Sequence, residues 1–384
     1  MKQFRLFQFS TIRLAAAAGL VLAVGIWLLR TPQSAAQGVS QGIAVCLNTL
    51  VPSLFPFMVL STYTAESGLA ASLGRFVQPV TRFLFRQPGC TLPVILLGLV
   101  GGYPAGAKTA ARLYEKGEIT REQAGRLLCF CISAGPPFVL TAVASCLLGN
   151  PAAGAPLLIS ITGAALLLGI FTRFGAPQPQ KKPSKTSPAA LKPSSCGSPF
   201  VASVRQAGAA MAMMCGFVLI FWALLPIFRE SGLTAAITRK LLQWGLPPST
   251  AASLPSFLSE VTAGCHTGAA VKASLPLFAF GLGWGGLCVH LQIFSLFRDF
   301  PLSRLRFFLF RLLHGLLSGA LCWLILPLFP ECTAASALWS TSPIKVSTVS
   351  IPAAIVLFLL LLIMALDGSR VSLFQKKSPV GRDA

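Results

Sequence analysis

Charge is what this sequence has least of. Only 11% of its 384 residues are charged, and just 10 are acidic, against roughly 25% charged in an average soluble domain. So little charge cannot keep a chain of this size in water, which excludes a soluble globule. The 54% hydrophobic content excludes a disordered chain. Acidic residues are too scarce for a two-metal hydrolytic centre, and there is no HExxH or Walker loop. The 11 cysteines contain no CxxC pair, and no His stands near Cys129-Ile-Cys131. Cys46, Cys129, Cys131, Cys146, Cys215, Cys288 and Cys322 lie inside apolar runs, where a thiol acts as a small hydrophobe. The sequence therefore nominates no catalytic residue, no metal ligand, no cofactor and no structural disulfide.

What is abundant is long apolar runs, near 14–29, 43–62, 124–149, 152–172, 207–228, 273–297, 307–329 and 350–366. Each is long enough to cross a hydrocarbon core of roughly 30 Å at about 1.5 Å per residue. The expectation is an all-α integral membrane protein of about eight transmembrane helices, the first an uncleaved span. The net charge of +21 would suggest a nucleic-acid partner in a soluble protein. Here the bases fall between apolar runs and have no interleaved aromatics, so orientation in a lipid bilayer explains them and nucleic acid is not a partner. With the N-terminus cytoplasmic, and with Arg126 and Arg311 counted at the inner ends of their spans, 25 of the 31 basic residues fall inside. That asymmetry predicts a multi-pass protein of the cell membrane with both termini cytoplasmic. Residues 173–199, rich in Pro, Ser and Lys, read as a cytoplasmic linker. It separates a first membrane half, 1–172, from a second, 200–384, which ends in a basic tail.

Two stretches are apolar enough to enter the membrane yet too broken to cross it as helix. In 92–108, LPVILLGLVGGYPAGAK, the residues Gly101, Gly102, Pro104 and Gly106 crowd together. In 254–272, LPSFLSEVTAGCHTGAAVK, Glu260, Thr262, His266 and Thr267 surround Gly264 and Gly268. Glycine and proline stop helix, and such backbone persists at membrane depth only if protein buries it or it lines a polar cavity. Both stretches read as re-entrant. One falls on the cytoplasmic side and the other on the external side, so span, broken hairpin, span, span occurs twice in opposite orientation. Inverted repeats of this kind hold a binding site at the midplane.

The residues that might carry chemistry follow from these breaks. Gly101, Gly102, Tyr103, Pro104 and Gly106 would turn backbone groups toward a solute, with Lys108 at the cytoplasmic mouth and the next helix aiming its positive end at an anionic group. Gly135, Pro136 and Pro137 interrupt an otherwise spanning helix as a hinge or binding element. Glu260 is expensive at membrane depth and needs a cavity or partner. His266 is within reach of it, Thr262 stands beside it, and His290 with Gln292 lies in the following span. His314 reads as an interfacial anchor.

GGYPAGAK at 101–108, ARLYEKGEIT at 111–120 and CISAGPPF at 131–138 together resemble the sporulation integral membrane protein YlbJ family. PSLFPF at 52–57 and GWGGLCVHLQ at 283–292 fit the same pattern, while Ile132-Ser133 replaces an expected pair of Asn. The resemblance implies a nucleoside-recognition, or Gate, domain with a transporter-like core and a role in endospore cortex formation. The resulting expectation is a non-enzymatic membrane protein that moves or senses a small polar solute, nucleoside-like or cell-wall related. The alternatives are a non-transporting scaffold or signalling component, and an intramembrane enzyme on lipid-linked precursors, for which only Glu260 with His266 or His290 could supply a reactive pair.

Overall fold

The computed structural model describes residues 21–66, 81–174 and 199–332, with a few single positions beside them. The described residues form helices, and five of these are long and apolar enough to cross a membrane: Pro32–Thr64, Pro151–Phe171, Phe200–Glu230, Leu275–Ser295 and Arg304–Leu328. The expected span at 350–366, the basic tail, most of the linker and the start of the first span lie outside the described residues.

Helix α1 (Val21–Arg30) is followed after a bend at Thr31 by α2 (Pro32–Thr64). The sequence reading put a loop between spans at 30–42, and the structure corrects this to helix. Pro32 suits the first turn, where its missing N–H costs nothing. Gly38 and Gly42 then let α2 close onto α8 (Pro199–Glu230): a Cβ on Gly42 would lie 3.0 Å from the Cβ of Trp222, and one on Gly38 would meet Pro226. Ser34 donates to the Glu230 carboxylate at the end of the same seam. As numbers rise along α2 they fall along α8, so the two helices run antiparallel.

Behind each of them the same order of elements follows. The first set has a hairpin of α3 (Leu92–Val100) and α4 (Tyr103–Glu115), an interrupted span of α5 (Arg121–Phe130) and α6 (Pro137–Leu147), and the unbroken α7 (Gly154–Phe171). The second set adds a short α9 (Leu233–Gln243), then has a hairpin of α10 (Pro248–Ser259) and α11 (Val261–Ala270). An interrupted span of α12 (Leu275–Trp284) and α13 (Gly286–Ser295) and the unbroken α14 (Arg304–Ile325) complete it. The two sets share this order, and their leading helices, α2 and α8, run antiparallel.

The second interrupted span differs from expectation. The run 273–297 reads as one continuous span, but it breaks at Gly285 and Gly286, whose φ values of 85° and 76° only glycine adopts without strain. At the double proline the helix is interrupted as expected: α5 ends before an irregular stretch that starts at Cys131, and Pro137 opens α6. Three basic residues assigned to the membrane surface are in fact buried: Arg126, Arg311 and His314. Arg126 donates to the carbonyls of Phe85 and Arg86, and the His314 ring Nε2 lies 3.0 Å from the Ile161 carbonyl. Hydropathy alone put them at span ends; carbonyls at the end of a neighbouring helix draw Arg126 inward.

Candidate functional site: a cleft at the interrupted helices

The first hairpin turns at Gly101 and Gly102. Gly102 has φ 86° and ψ 179°, a region essentially closed to other residues, and it hands over to α4 with Pro104 in the first turn. Gly135 packs against this turn so closely that a Cβ on it would lie 2.7 Å from the Val100 carbonyl oxygen and 2.9 Å from the Gly102 nitrogen. Gly106 is the contact behind the tip, where its Cα side faces Gly98 and the Cys131 carbonyl. Tyr103 is buried and donates its hydroxyl to the Leu282 carbonyl at 2.6 Å, which joins this hairpin to the end of α12. Tyr103→Phe would leave that carbonyl without a partner and is expected to cost about 1.5 kcal/mol, read as a lowered unfolding midpoint of the purified protein in detergent.

The second hairpin turns at Glu260, whose extended backbone (φ −149°, ψ 127°) separates α10 from α11. Its side chain is 1% exposed. One oxygen accepts from the Thr262 amide at 2.9 Å; the other accepts from the Ala263 amide at 2.7 Å, the Thr262 hydroxyl and Trp222 Nε1 at 3.1 Å. The carboxylate thus caps α11, where the positive end of the helix offsets its charge. Trp222 brings the hairpin onto α8, and Trp284 Nε1 donates to the Leu258 carbonyl at 3.1 Å, tying the hairpin to α12.

These tips meet around a small cleft. Gly101, Gly102, Tyr103, Pro104, Gly135, Pro137, Glu260, Thr262 and Gln292 all border it. Its walls are apolar, with Leu54, Phe57 and Met58 on α2 and Met214 and Val218 on α8. The N-terminal ends of α4, α6 and α11 open onto it.

With this arrangement in hand, known proteins supply the comparison. Sporulation integral membrane protein YlbJ of Bacillus subtilis (strain 168) is 26% identical to this chain over 342 residues, covering 82% of this chain and 83% of the relative. The chain is similar to that protein along most of both lengths. No family model matches it, and no solved structure does.

In this chain, several residues nominated from sequence stand apart from the cleft. His266 is exposed, and its ring meets that of Trp222 edge-on at 5.6 Å. The expected Glu260–His266 pair does not form, because the helix that Glu260 caps carries His266 round to another face. His290 points into an aromatic cage of Trp284, Phe307 and Phe308, with ring centroids at 4.4, 5.4 and 5.0 Å. Two positions on, Gln292 faces the cleft and donates to Cys288 Sγ at 3.4 Å. Pro136 ends the irregular stretch before α6, and Lys108 lies along α4 beyond the tip. Trp222 was not nominated from sequence. Inside a long apolar run it reads as bulk, and only the fold brings its N–H to a carboxylate.

Proposed function

We propose that this protein is a Gate-type, transporter-like membrane core that moves or senses a small polar solute in the cleft, with both termini cytoplasmic. The observation that carries this reading is the meeting of half-helix ends at one cleft from two antiparallel sets of elements. Helix N-termini offer free amides and a positive potential to an electron-rich group. Glu260 already occupies the end of α11, while α4 and α6 carry no acidic residue in their first turn and no side-chain cap. Apolar walls with a few convergent polar groups suit a compact solute with one polar edge, in keeping with a nucleoside-like or cell-wall-related compound. The relative's name sets the work in the sporulating cell, and the family resemblance adds a role in cortex formation. We read no catalysis into the cleft, since Glu260 is engaged by several donors and touches no histidine.

A scaffold without transport is the second reading, favoured by that same saturation of Glu260. Purified protein in liposomes, offered a panel of labelled nucleosides and cell-wall precursors, is expected to take up or bind at least one of them. Gly102→Leu and Glu260→Ala are expected to bring that signal to background. Folded variants that behave as wild type would overturn the transport reading. No uptake or binding by the wild type, with both variants restoring sporulation in a deletion strain, would favour the scaffold.

A further inference from the structure

Behind the cleft, Arg311 of α14 is completely buried. Its two terminal nitrogens donate to different elements: Nη1 to the Ile132 carbonyl just past the end of α5, and Nη2 to the Gly283 carbonyl in the last turn of α12. Both are C-terminal ends of half-helices, where carbonyls lack helical partners and the helix dipole is negative. No carboxylate pairs with Arg311 among the described residues. Tyr103 bonds the neighbouring Leu282 carbonyl, so the first hairpin is held at the same turn. The surroundings are otherwise under-bonded: Arg311 Nε, Ser133 Oγ, both ring nitrogens of His290 and Nδ1 of His314 make no hydrogen bond of ordinary geometry.

We propose that Arg311 is the positioning residue of the cleft, holding the carbonyl ends of the two interrupted spans together so that their continuations, α6 and α13, face the same space. A planar guanidinium reaches two carbonyls at once, whereas an ammonium is a single point on a flexible stem. The inference rests on the cleft's geometry and stands whether or not a solute crosses the membrane.

The test uses the full chain in lipid nanodiscs, alkylated with N-ethylmaleimide and followed by peptide mass spectrometry at two buried thiols. Cys288 borders the cleft, whereas Cys322 lies further along α14, away from it. Arg311→Met is expected to raise the Cys288 rate about tenfold relative to Cys322, and Arg311→Lys about threefold, as local opening follows the loss of charge-assisted bonds. Arg126→Lys, which alters only the bonds to Phe85 and Arg86, leaves the ratio unchanged. The lysine variant keeps charge and volume and carries the test if the methionine variant does not fold. A wild-type ratio in folded Arg311→Lys overturns the proposal. A parallel rise at both thiols, which marks general loosening, also overturns it.

Discussion

Glu260→Ala is expected to destabilise the protein by about 4 kcal/mol, combining a lost helix cap with buried donors left unpaired. Four donors converge on the carboxylate, two of them backbone amides that no side chain can replace from elsewhere. The size of the effect distinguishes this residue from an ordinary surface cap, where the loss is about 1 kcal/mol. Conservative changes separate its two duties. Glu260→Asp keeps a carboxylate within reach of the Thr262 and Ala263 amides but draws it back from Trp222, so an intermediate loss is expected. Glu260→Gln keeps the length with one acceptor oxygen fewer, and it too should fall between. Reversible unfolding in mixed micelles orders the series; equal stability of the alanine variant and wild type would contradict the capping role.

Gly106→Ala is the second large effect, expected at about 3 kcal/mol from overpacking between backbones. A methyl group there would lie 2.5 Å from the Gly98 Cα and fall inside contact distance of the Cys131 carbonyl oxygen. Backbone on both sides cannot rotate away, so the hairpin must shift and carry Gly101 and Gly102 with it. Gly117 provides the contrast: its φ is 68°, but a Cβ would meet nothing within 4 Å. Gly117→Ala should therefore cost only the backbone penalty of about 1 kcal/mol. Hydrogen exchange over 92–115 reads the difference, with faster exchange expected for the first variant and little change for the second. Similar protection in both would show that the close approach is not what holds the hairpin.

Much of this molecule was legible from the order of its residues. Glycine and proline at 101–106, and the lone acid in 254–272, marked hairpin turns because helix cannot continue through such residues and a carboxylate cannot sit in lipid unpaired. The break at Gly285 was not read, since the surrounding Trp-Gly-Gly sits in a run whose hydropathy alone is continuous. The helical path of residues 32–42 was also missed: its polar composition suggests a loop, and only packing on Trp222 and Pro226 explains why it stays helical. Nor did periodicity predict which way the histidines point. His266 and His290 stand close to cleft residues in number, yet the helical rotation between neighbours turns them to other faces.

By itself, the sequence determined that the chain lives in a bilayer and that its helices break near 101–106, 131–137 and 260. Those properties depend on the cost of exposing backbone or charge to hydrocarbon, which each segment meets locally. The tertiary structure alone decided which breaks meet, that Trp222 and Glu260 bond, and that Arg311 bridges Ile132 and Gly283. Those contacts join residues up to 179 positions apart, and no local propensity encodes a distance of that kind.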